Sequence, residues 1–105
     1  MSGLQVLFKK ALEVRDNAYA PYSGFKVGSA VLSNEGHVYV GANIENVSYP
    51  CGTCAEQAAI ASMVANGEYE INDIVVVADS QNLIMPCGAG LQRITEFANQ
   101  NTKVH

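Results

Sequence analysis

Ile74-Val75-Val76-Val77, in the middle of the run Ile71 to Ala78, leaves this chain few ways to fold. Four consecutive β-forming apolar residues offer no polar face, so the strand they predict is buried on both sides. Its neighbours are readable too. Lys26 to Leu32 and His37 to Ala42 are β-rich runs separated by the turn-forming cluster Ser33-Asn34-Glu35-Gly36, which predicts an antiparallel hairpin. Ser2 with Gln5 makes a capping box, and Leu4, Leu7, Phe8, Ala11, Leu12, Ala18 and Tyr19 recur at helical spacing, predicting a helix to about Tyr19 that stops before Pro21. A polar loop from Asn43 to Gly52 leads into a second helix from about Thr53 to Ala65, ended by Asn66-Gly67. A third helix is expected from the Pro86-Cys87 corner to about Ala98, with a polar segment 99–105 expected to fray. The order helix, hairpin, helix, strand, helix gives an α/β fold in which a small sheet, the hairpin plus at least one further strand, carries helices packed on it.

The 105 residues make a single domain, 1–105. Hydrophobic residues at 49% against 15% charged imply that part of the surface meets a partner subunit, so a homo-oligomer, dimer or tetramer, is expected. A net charge of −4 with only 6 Lys and Arg and no basic stripe argues against a long nucleic acid and for a small-molecule substrate. No apolar run approaches the ~20 residues of a membrane span, and Met1 to Lys10 lacks the apolar core of a signal peptide; the expected location is cytoplasmic.

Chemistry concentrates where loops enter helices. Cys54 and Cys87 each stand at a predicted helix start, where free N–H groups and the positive end of the helix favour a thiolate and prepare it for a metal. Glu56, two residues after Cys54, falls on the first turn, in reach of an open coordination position and a water there. Asn43 and Glu45, two apart on an extended segment, point the same way and suit adjacent hydroxyls of a sugar. Cys51-Gly52-Thr53-Cys54 has a spacing that serves either a zinc site or a thiol–disulfide centre.

Pro21-Tyr22-Ser23-Gly24-Phe25-Lys26-Val27-Gly28, Asn43-Ile44-Glu45-Asn46-Val47-Ser48-Tyr49, Cys54-Ala55-Glu56 and Pro86-Cys87-Gly88, taken together, resemble the small cytidine deaminases in order and spacing. The resemblance covers nearly the whole chain and implies a three-layer α/β/α fold, Zn²⁺ as cofactor and hydrolytic conversion of cytidine or deoxycytidine to the uridine compound with release of ammonia, in pyrimidine salvage. By the same resemblance, Cys54 and Cys87 are zinc ligands, Glu56 is the proton shuttle, Asn43 and Glu45 hold the ribose hydroxyls, Phe25 packs near the base and the backbone of Ala55 meets its polar edge. The chain departs from the family pattern at three places. Gly90 stands at the family's third zinc cysteine, with Cys51 as the candidate replacement. Gln57 stands where three-thiolate members carry arginine, and the chain is C-terminally shortened relative to the family. Two alternatives stay open: a deaminase-like subunit that only binds nucleoside or oligomerises, and a C-x-x-C thiol–disulfide oxidoreductase.

Overall fold

The computed structural model describes residues 3–48, 51–78 and 96–105, the side chains of 98–102 excepted. Its elements are α1 (Gly3–Arg15), β1 (Val27–Ser33), β2 (Val38–Ala42), α2 (Ala55–Ala65), β3 (Ile71–Ala78) and β4 (Ala98–Val104). The strands form a mixed sheet in the order β2-β1-β3-β4. β1 pairs antiparallel with β2, Ser29 opposite Gly41, and antiparallel with β3, Ala30 opposite Val75. The doubly buried strand expected from its apolar run is therefore interior to the sheet.

Alternation along the strands sorts the core into two layers. On one face Leu7 and Ala11 of α1 pack with Ala30 and Val75; on the other, Ala59, Ile60 and Met63 of α2 pack with Val31, Ile71 and Ile74. The helices thus cover opposite faces, giving the three-layer α/β/α arrangement. Leu7 and Met63 are fully buried, and truncating either to Ala would cost about 2–5 kcal/mol.

α2 ends as Asn66-Gly67 requires. Gly67 takes a left-handed φ of 82°, its N–H reaches Val64 O at 2.9 Å, and the Glu68 N–H returns to Met63 O at 3.2 Å. That paired closure satisfies the last carbonyls of the helix and delivers Glu68 back against the sheet.

Two expectations are corrected. α1 stops at Arg15, short of Tyr19, because Tyr19 is recruited elsewhere: its N–H donates to Asn43 O at 3.0 Å and its carbonyl accepts from the Glu45 N–H at 2.8 Å. Residues 99–105 do not fray. Residues 99–104 belong to β4, parallel to β3, and His105 just beyond it closes the backbone pairing, His105 N to Ile74 O at 2.8 Å and Val76 N to His105 O at 3.0 Å. Of the third helix expected to about Ala98, residues 96 and 97 are helical, Ala98 already belongs to β4, and the part before residue 96 lies outside the described residues. Among the described residues no helix is long and apolar enough to cross a membrane.

Candidate functional site

The segment 43–45 is the keystone of one end of the sheet. Leaving β2, Ile44 bridges Tyr19 in parallel and Thr53 antiparallel, its N–H and carbonyl both paired with Thr53 at 2.8 Å. This places the turn after α1, the exit of β2 and the entry of α2 side by side, and puts Cys54 one residue beyond the bridge.

Asn43 and Glu45 do share a face, as their i, i+2 spacing predicts, and both reach the segment 22–27. Asn43 Oδ1 accepts from the Val27 N–H at 2.8 Å while its Nδ2 donates to Phe25 O at 3.0 Å. Glu45 Oε1 accepts the N–H groups of Tyr22 at 2.9 Å and Ser23 at 3.1 Å, and the Ser23 hydroxyl donates to Oε2. The Ser23 hydroxyl and N–H hold the Glu45 carboxyl below its ordinary range, so it is ionised at neutral pH. An ionised carboxylate offers about four acceptor positions, so these three donors leave one for an incoming hydroxyl. Phe25, whose carbonyl is held by Asn43, exposes its ring at this end of the sheet.

Cys54 is the N-cap of α2, with extended dihedrals of φ −75° and ψ 156°, and is partly buried; Ala55 and Glu56 on the first turn are buried, Glu56 with only 4% of its surface exposed. Gln57 reaches back, its Oε1 accepting the Cys54 N–H at 3.0 Å. This is a capping box with cysteine in place of serine, and it fixes the backbone that carries the sulfur. The resemblance presents Gln57 only as a replacement for arginine; the sequence signal for this contact is a glutamine three residues after an N-cap. The Cys51 thiol is exposed and its backbone N–H donates to Ser48 O at 2.9 Å, whereas the Cys54 thiol is partly buried. Cys87 and Gly90 lie outside the described residues.

The described donors suit a soft divalent metal: a thiol at the positive end of a helix, with a buried carboxylate on the same turn. A different cluster, Glu35, His37 and Glu68, brings its ligating atoms within 4.8 Å of one another at the opposite end of the sheet. There the buried Glu68 carboxylate already accepts from the hydroxyls of Ser33 and Tyr39 and meets His37 Nδ1 at 2.8 Å. These contacts make it a clamp between the β1–β2 turn and the end of α2.

A family model described as the cytidine and deoxycytidylate deaminase zinc-binding region matches residues 1–105. Curated relatives include the cytidine deaminase of Halalkalibacterium halodurans, 44% identical over 96% of this chain and 76% of its own, and that of Mycoplasma genitalium, 38% identical over 96% and 78%. Among solved structures, the cytidine deaminase of Mycobacterium tuberculosis superposes with a TM-score of 0.91 at 31% identity, covering 100% of this chain and 85% of that one. That of Burkholderia pseudomallei gives 0.86 at 41% identity, covering 92% and 77%.

Proposed function

The chain belongs to the zinc-binding cytidine and deoxycytidylate deaminase family, and from that premise we propose that it hydrolyses the exocyclic amine of cytidine or deoxycytidine. Water supplies the oxygen that becomes the C4 carbonyl, and ammonia leaves. The observation that carries the reading is the buried Glu56 carboxylate on the first turn of α2, two residues after the N-cap thiol of Cys54 and one bridge away from Asn43 and Glu45.

In this reading Cys54 and Cys87 hold the zinc, with Cys51 the candidate third ligand because Gly90 has no side chain to offer. Zinc, when bound, supplies a Lewis acid that brings the pKa of water down to about 7. Glu56 takes one proton from the attacking water and passes it to the pyrimidine N3; it then takes the second from the hydroxyl formed on C4 and delivers it to the departing amine, so that the C4 carbonyl forms as the C–N bond breaks and ammonia leaves. The remaining acceptor position of Glu45 and the second N–H of the Asn43 Nδ2 receive the sugar hydroxyls, the Phe25 ring packs against the base and the Ala55 backbone meets its polar edge.

We assign the reaction to pyrimidine salvage in the cytoplasm, by a homo-oligomer, tetramer or dimer. The apolar side chains of Leu4, Phe8 and Leu12 exposed along α1 support self-association, which sedimentation velocity measures. Zinc analysis of purified protein with ammonia release from cytidine tests the whole reading. Glu56→Gln should lower kcat by about 10²–10⁴-fold with zinc and fold retained, and a near-native rate would remove Glu56 from its role. Gly90 favours a second reading, a subunit that binds nucleoside without turning it over. Metal-free, inert protein would establish that one. Gly90→Cys should raise zinc occupancy; unchanged occupancy would mean that another residue, Cys51 first among the candidates, already fills the place.

A further inference from the structure

We infer that Gly41 is a positioning residue: it seats the first turn of α2 directly on strand β2 and so sets the depth of Cys54 and Glu56. A Cβ built on Gly41 would lie 2.3 Å from Ala59 N, 2.6 Å from Ala55 O and 2.7 Å from the Ala58 carbonyl carbon. Real Cβ atoms do not approach that closely, and all three atoms are backbone, so no rotamer change can relieve the clash. The added methyl would wedge between Ala55 O and Ala59 N, the i→i+4 pair next to the Cys54 O–Ala58 N contact that closes the first turn at 3.1 Å. Ala55 adjoins both Cys54 and Glu56, so a helix lifted at this point carries the sulfur and the carboxylate with it. The Asn43 and Glu45 side chains, anchored to the segment 22–27, stay behind.

Gly28 provides a matched control. A Cβ there would meet Ala11 O at 2.2 Å and Arg15 N at 2.9 Å, the same kind of clash made against α1 on the opposite face of the sheet.

The test compares Gly41→Ala with Gly28→Ala in the full chain. Its kinetic arm rests on the deaminase reading above. Gly41→Ala should lower kcat for cytidine by about a hundredfold with little change in KM, since a misplacement near 1 Å costs that much. It should also speed zinc loss to a chromogenic chelator by about 10–100-fold. Gly28→Ala should lose thermal stability yet keep kcat and zinc retention near native values. Equal behaviour of the two variants would overturn the inference.

Should Gly41→Ala fail to fold, hydrogen exchange on the native protein decides. The Ala59 amide, pinned beneath Gly41, should exchange as slowly as the β1 amides; exchange as fast as at the Asn66 end would sink the seating. Native protein lacking both zinc and ammonia release would defeat the deaminase reading, while the exchange measurement still reports on the seat.

Discussion

Asn43 commits both ends of its amide to the backbone ahead of β1, accepting from Val27 and donating to Phe25. No other side chain of that size combines a donor and an acceptor so placed. Asn43→Asp keeps the acceptor for Val27 but turns an oxygen toward the Phe25 carbonyl, replacing a hydrogen bond by repulsion. If the nucleoside binds against this segment as proposed, loosening 22–27 should raise KM for cytidine about tenfold, the worth of one lost hydrogen bond, with a smaller change in kcat. Steady-state kinetics separates the two, and an unchanged KM would dissociate Asn43 from the binding face. Glu45 behaves in the same manner. Among the described residues its charge is stabilised by the Ser23 hydroxyl and by the N–H groups of Ser23 and Tyr22.

At the scale of elements, α2 is a short helix of small apolar residues, so its start depends on capping more than on a strong amphipathic face. Gln57→Ala removes the return contact to the Cys54 N–H and should lower stability by about 0.5–1 kcal/mol, read from the denaturant midpoint; no loss would mean that water caps the helix equally well. The hairpin, α2 and β3 were legible in the sequence because each carries a local signal: alternation around a turn cluster, Asn66-Gly67 at a helix end, a β-branched run. β4 carried none. Its residues from Asn99 to Thr102 are polar, and it is held as an edge by parallel backbone bonds to Ile74 and Val76, which side-chain pattern does not encode. α1 ends earlier than its side-chain pattern suggests for a related reason. Ala18 and Tyr19 keep the helical spacing, yet the backbone of Tyr19 is claimed by Asn43 and Glu45, partners more than twenty residues away in sequence. The pairing of Asn43 with Glu45 could be read from spacing alone. The seat at Gly41 could not, because a strand glycine shows its purpose only when the helix packed on it is in place.

Across the whole molecule the sheet has two ends with separate tasks. At one, the entry of β1, the exit of β2 and the entry of α2 converge on the candidate site. At the other, Glu68 ties the β1–β2 turn to the end of α2 through Ser33, Tyr39 and His37. The Ser33 hydroxyl, then that of Tyr39, hold the Glu68 carboxyl down to about 2 from an ordinary 4.5, and the hydrogen bond to Glu68 pushes the Tyr39 phenol up to about 12 from 10.0. The two shifts have opposite signs in linkage. The depressed carboxyl contributes stability that is present above pH 4.5 and drains away as pH falls toward 2; the raised phenol contributes stability that is present below pH 10 and is lost as pH climbs through 12. Glu68→Gln cannot ionise, so the melting temperatures of native and variant protein should differ most near neutrality and converge as pH falls from 4.5 to 2. Tyr39→Phe should flatten the alkaline limb between 10 and 12. A gap that stays constant from neutral to acid pH would show that the carboxylate charge contributes nothing to holding the two turns together. Because the clamp and the site sit at opposite ends of the sheet, Glu68→Gln at neutral pH and moderate temperature should leave kcat and KM near native values, so that the loss appears in melting and not in turnover.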